Sequence, residues 1–115
     1  IVGSVNDATF GPTLMFGLGG IFVEVMKDVT FKVAPIDEAA ALDMQSEIKS
    51  SKILQGARGE SPRDQKALAD VLAHYSYMVY DLKDEIAESD ANPVIVYEEG
   101  KGVAVVDARI ILTKK

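Results

Sequence analysis

Short apolar runs near the start of the chain predict β-strands. Residues 13–16 and 21–25 are two such runs, and they flank the glycine-rich segment 17–20. A third run, residues 29–33, alternates Val, Phe and Val with Thr and Lys, which is typical of a strand with one buried face. We therefore expect two strands joined by a glycine turn, followed by a third, half-buried strand.

The pattern changes to helical spacing in the middle of the chain. Asp37 is placed to cap a helix that runs to about Lys49. The apolar residues that share one face of this helix are Ala41, Met44 and Ile48. Such a stripe is typical of a helix packed on a core.

A second, longer helix is predicted further along. Ser61 is the expected N-cap, Pro62 takes the first helical position, and Asp64 completes a capping-box pattern. The apolar residues then recur at helical spacing for four turns: Leu68, Val71, Leu72, Tyr75, Met78, Val79 and Leu82. We interpret this stripe as core packing as well.

The last part of the chain predicts a β-hairpin. Residues 94–97 and 103–112 are apolar runs on either side of a glycine-bearing turn at residues 98–101. A four-residue loop would pair Tyr97 with Gly102. The order of strands, two helices and strands predicts the α+β class, with an antiparallel sheet packed against two helices.

The composition is that of one globular domain. The chain has 115 residues, of which 48% are hydrophobic. Its 12 basic and 18 acidic residues give a formal net charge of −6, and the basic residues form no cluster. Because neutralising phosphates takes grouped Lys and Arg, we expect no nucleic-acid partner. The absence of cysteine excludes disulfides, thiol nucleophiles and thiolate metal sites.

The most apolar stretch, residues 10–25, does not predict a membrane span. A transmembrane helix needs about 20 apolar residues, and Pro12, several glycines and Glu24 interrupt this stretch. We expect no membrane partner, and without a charged-then-apolar leader the default location is cytoplasmic. The chain begins at Ile1, without Met, on residues typical of a strand interior, so we expect a fragment or the second half of a larger domain.

The stretch from residue 88 to residue 93 is the strongest candidate for a functional site in this sequence. The proline at position 93 favours an extended Asn92, and residues two apart share a face of an extended chain. Glu88, Asp90 and Asn92 should therefore point the same way. Two carboxylates this close repel each other unless a positive group lies among them. Magnesium suits such oxygen donors, since a few protein groups and substrate phosphates commonly hold it.

The returning strand offers a further oxygen donor. The expected hairpin register places Asn92 opposite Asp107, within cross-strand reach. Asp107 is flanked by valines and alanine, so it would be an acid in an apolar strand, and a one-residue shift would move it to the other face. The alternative is a solvated strand end, with Asp107 paired to Arg109 or to a lysine.

Three other features are weaker candidates. His74, the only histidine, falls off the apolar stripe and is expected at the solvated surface. A strand, not a helix, follows the glycines at 17–20, which favours structural glycines over a phosphate loop. Arg58 lies in a predicted loop, where it could clamp phosphate or carboxylate, or form a salt bridge with Glu60 or Asp64.

Six short segments stand in an order that resembles a known family: Phe10-Gly11-Pro12, residues 17–24, Lys27-Asp28-Val29, Arg58-Gly59-Glu60, Asn92-Pro93 and Val106-Asp107-Ala108-Arg109. Together they resemble the carboxy-terminal half of the ATP-grasp domain of nucleoside-diphosphate-forming acyl-CoA synthetases. This group includes ADP-forming acetyl-CoA synthetase and the ligase-like part of Pat protein acetyltransferases. The resemblance runs across essentially all of residues 1–115, and it implies that residues 10–25 form a hairpin of the nucleotide-clamping sheet.

The resemblance implies an acid–thiol ligase. Such enzymes interconvert an acyl-CoA, ADP and phosphate with the free acid, CoA and ATP through a phosphohistidine. By similarity to succinyl-CoA synthetases, Asn92 and Asp107 would bind Mg²⁺, and Asp90 would contact the phosphohistidine, although those enzymes have Glu there. Glu88 fits the pattern without an assigned role. The implied cofactors are Mg²⁺ and ATP or ADP, and the implied partners are a CoA-binding domain or alpha subunit and the missing amino-terminal half of the ATP-grasp.

Two observations limit what the resemblance implies. Ser61 stands where the family pattern Arg-Gly-x-Pro-Pro has its first proline, and His74 matches no family histidine. The phosphate-binding lysine and the phosphorylatable histidine belong to a half that is not in this sequence, so these residues alone should be inactive. The alternative function is a non-catalytic interaction or regulatory domain, including the ligase-like part of a Pat-type acetyltransferase.

Overall fold

The computed structural model describes residues 1–18, 28–56 and 61–114. The elements are, in chain order, β1 (Val2–Asp7), β2 (Gly11–Gly17), β3 (Val29–Val33), α1 (Glu38–Glu47), α2 (Ser51–Leu54), α3 (Gln65–Asp81), β4 (Ile86–Ala91), β5 (Val94–Val96), β6 (Val103–Val105) and β7 (Ala108–Leu112).

The strands form two antiparallel sheets. The larger has five strands in the order β3-β2-β1-β4-β7, and the smaller is the β5–β6 hairpin. Because helices pack against this antiparallel sheet, the predicted α+β class is confirmed. None of the helices formed by the described residues has the length and hydropathy needed to cross a bilayer.

The strands at the start of the chain match the prediction in part. The apolar run 13–16 lies within β2, and the run 29–33 is β3. The opening residues, typical of a strand interior in the sequence, form β1, which pairs with β2 through a turn closed by the Asp7 carboxylate. Residues 21–25, predicted as a strand, lie outside the described residues, as does part of the glycine segment 17–20.

Helix α1 follows the prediction closely. The Asp37 side chain caps it by accepting a hydrogen bond from the Ala40 N–H at 2.8 Å. The helix ends two residues before Lys49. The predicted core stripe is confirmed, since the following side chains are buried: Ala41, Met44 and Ile48.

The predicted cap of the long helix is wrong. Asp64, not Ser61, is the N-cap of α3, and it accepts a hydrogen bond from the Ala67 N–H at 3.0 Å. The Pro62 carbonyl accepts a hydrogen bond from the Glu99 N–H of the C-terminal hairpin. The segment before Asp64 therefore bonds to another part of the chain and does not begin the helix.

The apolar stripe of α3 is buried along most of its length. Leu68, Leu72 and Val79 are almost fully inaccessible, and each such side chain stabilises the fold by about 1.5–3 kcal/mol. The half-buried members are Val71, Tyr75 and Met78. Leu82 is the C-cap and is 40% exposed, so the buried stripe ends before it.

The five-stranded sheet has one covered face and one open face. Helices α1 and α3 cover the first, where Val2 and Leu14 are completely buried. On the open face, Phe31 is 55% exposed. Phe31, Glu88 and Asp90 line one cavity on this face. The acidic stretch singled out in the sequence is therefore presented on the uncovered side of the sheet.

Candidate functional site

The register predicted for the C-terminal hairpin is confirmed. The Tyr97 N–H donates a hydrogen bond to the Gly102 carbonyl at 3.0 Å. β5 and β6 continue in the same register, and the Asn92 N–H donates to the Asp107 carbonyl at 3.0 Å. The main chains of Asn92 and Asp107 are therefore direct neighbours.

The long strand predicted at 103–112 is divided in two. β6 pairs with β5 in the hairpin, whereas β7 pairs with β4 in the large sheet. Between these pairings lies a junction formed by Asn92 and Pro93 on one side and by Val106 and Asp107 on the other. Its two sides are joined by a 3.0 Å hydrogen bond from the Val106 N–H to the Pro93 carbonyl. The candidate metal ligands thus lie where the hairpin leaves the sheet.

Asp107 is exposed and has unused capacity to bind a ligand. Its Oδ1 accepts a hydrogen bond from the neighbouring Ala108 N–H at 2.9 Å. Among the described residues no ion pair joins Asp107 to Arg109, and the Arg109 guanidinium lies 3.7 Å from an Asp90 oxygen instead. Within the same residues no hydrogen bond or ion pair engages the second carboxylate oxygen of Asp107, which leaves it open to a ligand.

The chemistry of the junction fits a magnesium ion. Asn92 and Asp107 both carry hard oxygen donors, both are exposed, and they are adjacent. Within the described ranges, no three His, Asp or Glu side chains are grouped closely enough to hold a metal by themselves. Two protein oxygens completed by waters and phosphate oxygens are the usual way in which proteins hold Mg²⁺.

A cavity beside the junction presents two carboxylates and one guanidinium. Glu88, Asp90 and Arg109 line it, together with Gly3, and its volume is about 170 Å³. The expectation that Glu88 and Asp90 lie on one side of β4 is confirmed. Arg109 supplies the positive group that such a pair needs, although its ion pair with Asp90 is long and 67% of the Arg109 side chain is exposed.

A hydroxyl network, which no local sequence pattern indicates, holds the other side of β4. The Ser89 Oγ lies 2.6 Å from the Ser4 Oγ and 2.5 Å from the Tyr75 hydroxyl. Burial raises the pKa of Tyr75, so its hydroxyl stays protonated and can donate. Since Ser89 stands between Glu88 and Asp90, the network ties the strand that carries them to β1 and α3.

The weaker candidates do not add to the site. The His74 side chain is 78% exposed and its Nδ1 lies 2.8 Å from the Asp70 carbonyl, so the predicted surface position is confirmed. Arg58 lies outside the described residues.

Comparison with known proteins identifies relatives over almost the whole chain. Residues 1–112 match a family described as the ATP-grasp domain. The chain is 57% identical over 112 residues to the beta subunit of the ADP-forming acetate–CoA ligase II of Pyrococcus furiosus. That match covers 97% of this chain and 48% of the relative, so the chain spans about half the length of that protein.

Solved structures show the same fold. A crystal structure of the protein PH1788 from Pyrococcus horikoshii matches with a TM-score of 0.93 at 52% identity, over 99% of this chain and 48% of that one. The dinucleotide-forming acetyl-coenzyme A synthetase 1 of Candidatus Korarchaeum cryptofilum matches with a TM-score of 0.89 at 49% identity, over 97% and 51%. That protein was solved with coenzyme A and Mg-AMPPCP, its phosphohistidine segment pointing towards the nucleotide binding site.

Proposed function

Because the chain belongs to the ATP-grasp family, we propose that residues 1–115 are the carboxy-terminal half of an ATP-grasp domain in an ADP-forming acyl-CoA synthetase. The complete enzyme interconverts an acyl-CoA, ADP and phosphate with the free acid, CoA and ATP through a phosphohistidine. The observation that carries this proposal is the junction, where the hairpin register sets Asn92 directly beside Asp107. A 57% identity to an acetate–CoA ligase beta subunit supports it.

Asn92 and Asp107 are the proposed magnesium ligands. The amide oxygen of Asn92 and a carboxylate oxygen of Asp107 would hold the ion, with nucleotide phosphates and waters as its other ligands. When bound there, Mg²⁺ neutralises the phosphate charge that phosphoryl transfer must stabilise. Both residues are exposed, so phosphates can reach them from solvent.

Asp90 is the proposed contact of the phosphohistidine. Its carboxylate lines the open cavity, where it can accept a hydrogen bond from the N–H of an imidazole brought there by another part of the enzyme. The Ser89 network holds the backbone of this strand in place, and the Arg109 guanidinium offsets part of the local negative charge.

The partners of this half follow from the same proposal. They are the nucleotide, the amino-terminal half of the ATP-grasp, and a CoA-binding domain or alpha subunit. The relative named a beta subunit supports a multi-part enzyme, and the neighbour solved with coenzyme A and Mg-AMPPCP supports the two ligands. The cytoplasmic location expected from the sequence stays a prediction.

The proposal is tested by assaying ATP formation from ADP, phosphate and acetyl-CoA. The complete enzyme should form ATP in a Mg²⁺-dependent reaction. Residues 1–115 alone should not, because half of a clamp cannot position the nucleotide. Turnover by residues 1–115 alone would contradict the assignment. Nucleotide binding without turnover by the complete protein would instead favour the alternative, a regulatory or Pat-like ligase part.

A further inference from the structure

Asp64 is a buried carboxylate that is shared between two distant parts of the fold. It is 8% exposed. Its Oδ1 accepts the hydrogen bond from the Ala67 N–H that caps α3, at 3.0 Å. Its Oδ2 accepts a hydrogen bond from the Gly102 N–H at the tip of the β5–β6 hairpin, at 2.8 Å. One side chain therefore joins the start of the long helix to the hairpin.

Backbone hydrogen bonds also join the segment around Asp64 to the tip of the hairpin. The Asp64 N–H donates to the Tyr97 carbonyl at 2.8 Å, and the Glu99 N–H donates to the Pro62 carbonyl at 2.9 Å. An isolated bridge pairs Arg63 with Glu98. The segment 62–64 thus runs beside residues 97–102, and the Asp64 carboxylate adds a charge-assisted hydrogen bond to these neutral ones.

The ladder of the β5–β6 hairpin is short, and at its base it continues in the register of the β4–β7 pairing. It consists of three residue pairs between β5 and β6, and Gly100 and Gly102 in the turn have φ angles of 86° and 84°. A slip of one residue would change every pairing along such a ribbon. At the base, the β4–β7 pairs oppose such a slip, so the tip is the end of the hairpin at which the register depends on other contacts.

We propose that Asp64 is a positioning residue for the metal site at the junction. Its carboxylate holds Gly102 against the start of α3, which fixes the register of the hairpin at its tip, while the β4–β7 pairs fix it at the base. Held at both ends, β5 and β6 keep Asn92 beside Asp107 in a fixed geometry. The metal-binding part of this inference rests on the proposed function, whereas the effect of Asp64 on the register does not. Hydrogen bonds from Ala67 and Gly102 also lower the pKa of Asp64, so the carboxylate is ionised at neutral pH.

The substitution Asp64→Asn separates the two roles of this side chain, which are to cap α3 and to accept the hydrogen bond from Gly102. Asn is as good an N-cap as Asp, so helix α3 keeps its cap. An amide has only one acceptor oxygen, so its NH₂ group would face the Gly102 N–H. Asp37→Asn is the matched control, because Asp37 caps α1 through Ala40 in its own first turn.

The first readout is amide hydrogen exchange in the complete protein. In Asp64→Asn, the amides of Gly102, Tyr97 and Asn92 should exchange about tenfold faster than in the wild type, the size expected for one lost hydrogen bond to a charged group. In Asp37→Asn they should exchange at the wild-type rate. Unchanged exchange at all three amides in Asp64→Asn overturns the inference.

The second readout is the binding of Mg-AMPPCP, measured by calorimetry. Asp64→Asn should weaken it about tenfold, and Asp37→Asn should leave it unchanged. Faster exchange with unchanged binding overturns the positioning role. If the wild-type protein binds no Mg-AMPPCP, the proposed function is wrong, and the exchange rates alone then decide whether Asp64 fixes the hairpin.

Discussion

Two aspartates, Asp64 and Asp107, lie at the opposite ends of the β5–β6 hairpin, and they differ in exposure and in the hydrogen bonds that they accept. Asp64, at the tip, is 8% exposed, and each of its oxygens accepts a backbone hydrogen bond from a different element. Asp107, at the base, is exposed, and one of its oxygens bonds to the adjacent Ala108 N–H. Both oxygens of the tip carboxylate already accept protein hydrogen bonds, whereas one oxygen of the base carboxylate is still open to a ligand.

This contrast separates a structural acid from a functional one. Hydrogen bonds from the protein hold the pKa of Asp64 below its usual range, which is typical of a carboxylate used as a cap and a brace. Asp107 supports no core packing, so its place at the junction serves ligand binding in the proposed function. Substitutions at the two ends should therefore have different consequences.

The largest effect is expected at the base. Asp107→Asn should lower Mg²⁺-dependent turnover of the complete enzyme by more than about 100-fold, since even outer-shell partners of a metal can cost that much. Its free energy of unfolding should change by less than about 0.5 kcal/mol, because the side chain is exposed. Steady-state ATP formation and urea denaturation measure the two quantities.

Asp70→Asn is the control for that substitution, since Asp70 is an exposed acid on α3 with no place in the junction. Wild-type turnover is expected of it. If Asp107→Asn instead lost stability and kept its turnover, Asp107 would be a structural residue like Asp64, and the proposed difference between the two aspartates would be wrong.

The next effect concerns the cavity beside the base. Asp90→Asn should lower kcat by about tenfold to a hundredfold, because a misplaced reacting group costs that much. Glu88→Gln changes the other carboxylate of the same cavity and should have little effect. Rapid-quench measurement of histidine phosphorylation checks both variants. A larger loss in Glu88→Gln would exchange the roles of the two acids.

A smaller effect is expected from the backbone at the tip. Gly102→Ala should reduce the free energy of unfolding by about 1 kcal/mol, because φ is 84° there and an L-residue is strained in that region. Apart from the two chain neighbours of Gly102, no atom of the described residues lies within 4 Å of the Cβ that would be added, so the loss would come from the backbone. Urea denaturation measures it, and an unchanged midpoint would show that the tip tolerates other backbone conformations.

The smallest effect is a pH dependence at the tip. The folded-state pKa of Asp64 lies below the unfolded value of about 3.9, so its contribution to stability is complete above that value. The contribution is lost as the pH falls through the folded pKa. Asp7 and Asp28 also have lowered pKa values. Both residues are present in the wild type and in Asp64→Asn, so their contributions to the pH dependence cancel when the two proteins are compared.

The urea midpoints of the wild type and of Asp64→Asn should therefore differ most at neutral pH, and the difference between them should narrow towards pH 3. The charge of Lys66 also lowers the pKa of Asp64. A difference that is the same at neutral and acid pH would mean that the Asp64 charge contributes nothing to the tip.

Local rules predicted the hairpin because its register depends on a four-residue turn. Counting outward from Tyr97 and Gly102 placed Asn92 beside Asp107, and the structure confirms this pairing. The same register also pairs Asp90 with Arg109, so that ion pair could have been found from the sequence. The metal and phosphohistidine roles of these residues stay predictions.

Long-range contacts explain what the sequence pattern missed. Ser61 is of a residue type that favours the N-cap position. Asp64 takes that position instead, and Gly102, far along the chain, also donates a hydrogen bond to its carboxylate. The contact between Ser4 and Ser89 depends on the pairing of β1 with β4, which no local pattern indicates.

In the proposed function, Asn92 and Asp107 together hold one magnesium ion. A crystal structure of the complete protein with Mg-AMPPCP tests it most directly. We expect one ion at roughly 2.0–2.1 Å from the Asn92 amide oxygen and from an Asp107 carboxylate oxygen, with phosphate oxygens and waters as its other ligands. An ion bound without these two residues, or an Asp107 side chain directed to the opposite face of the sheet, would contradict it.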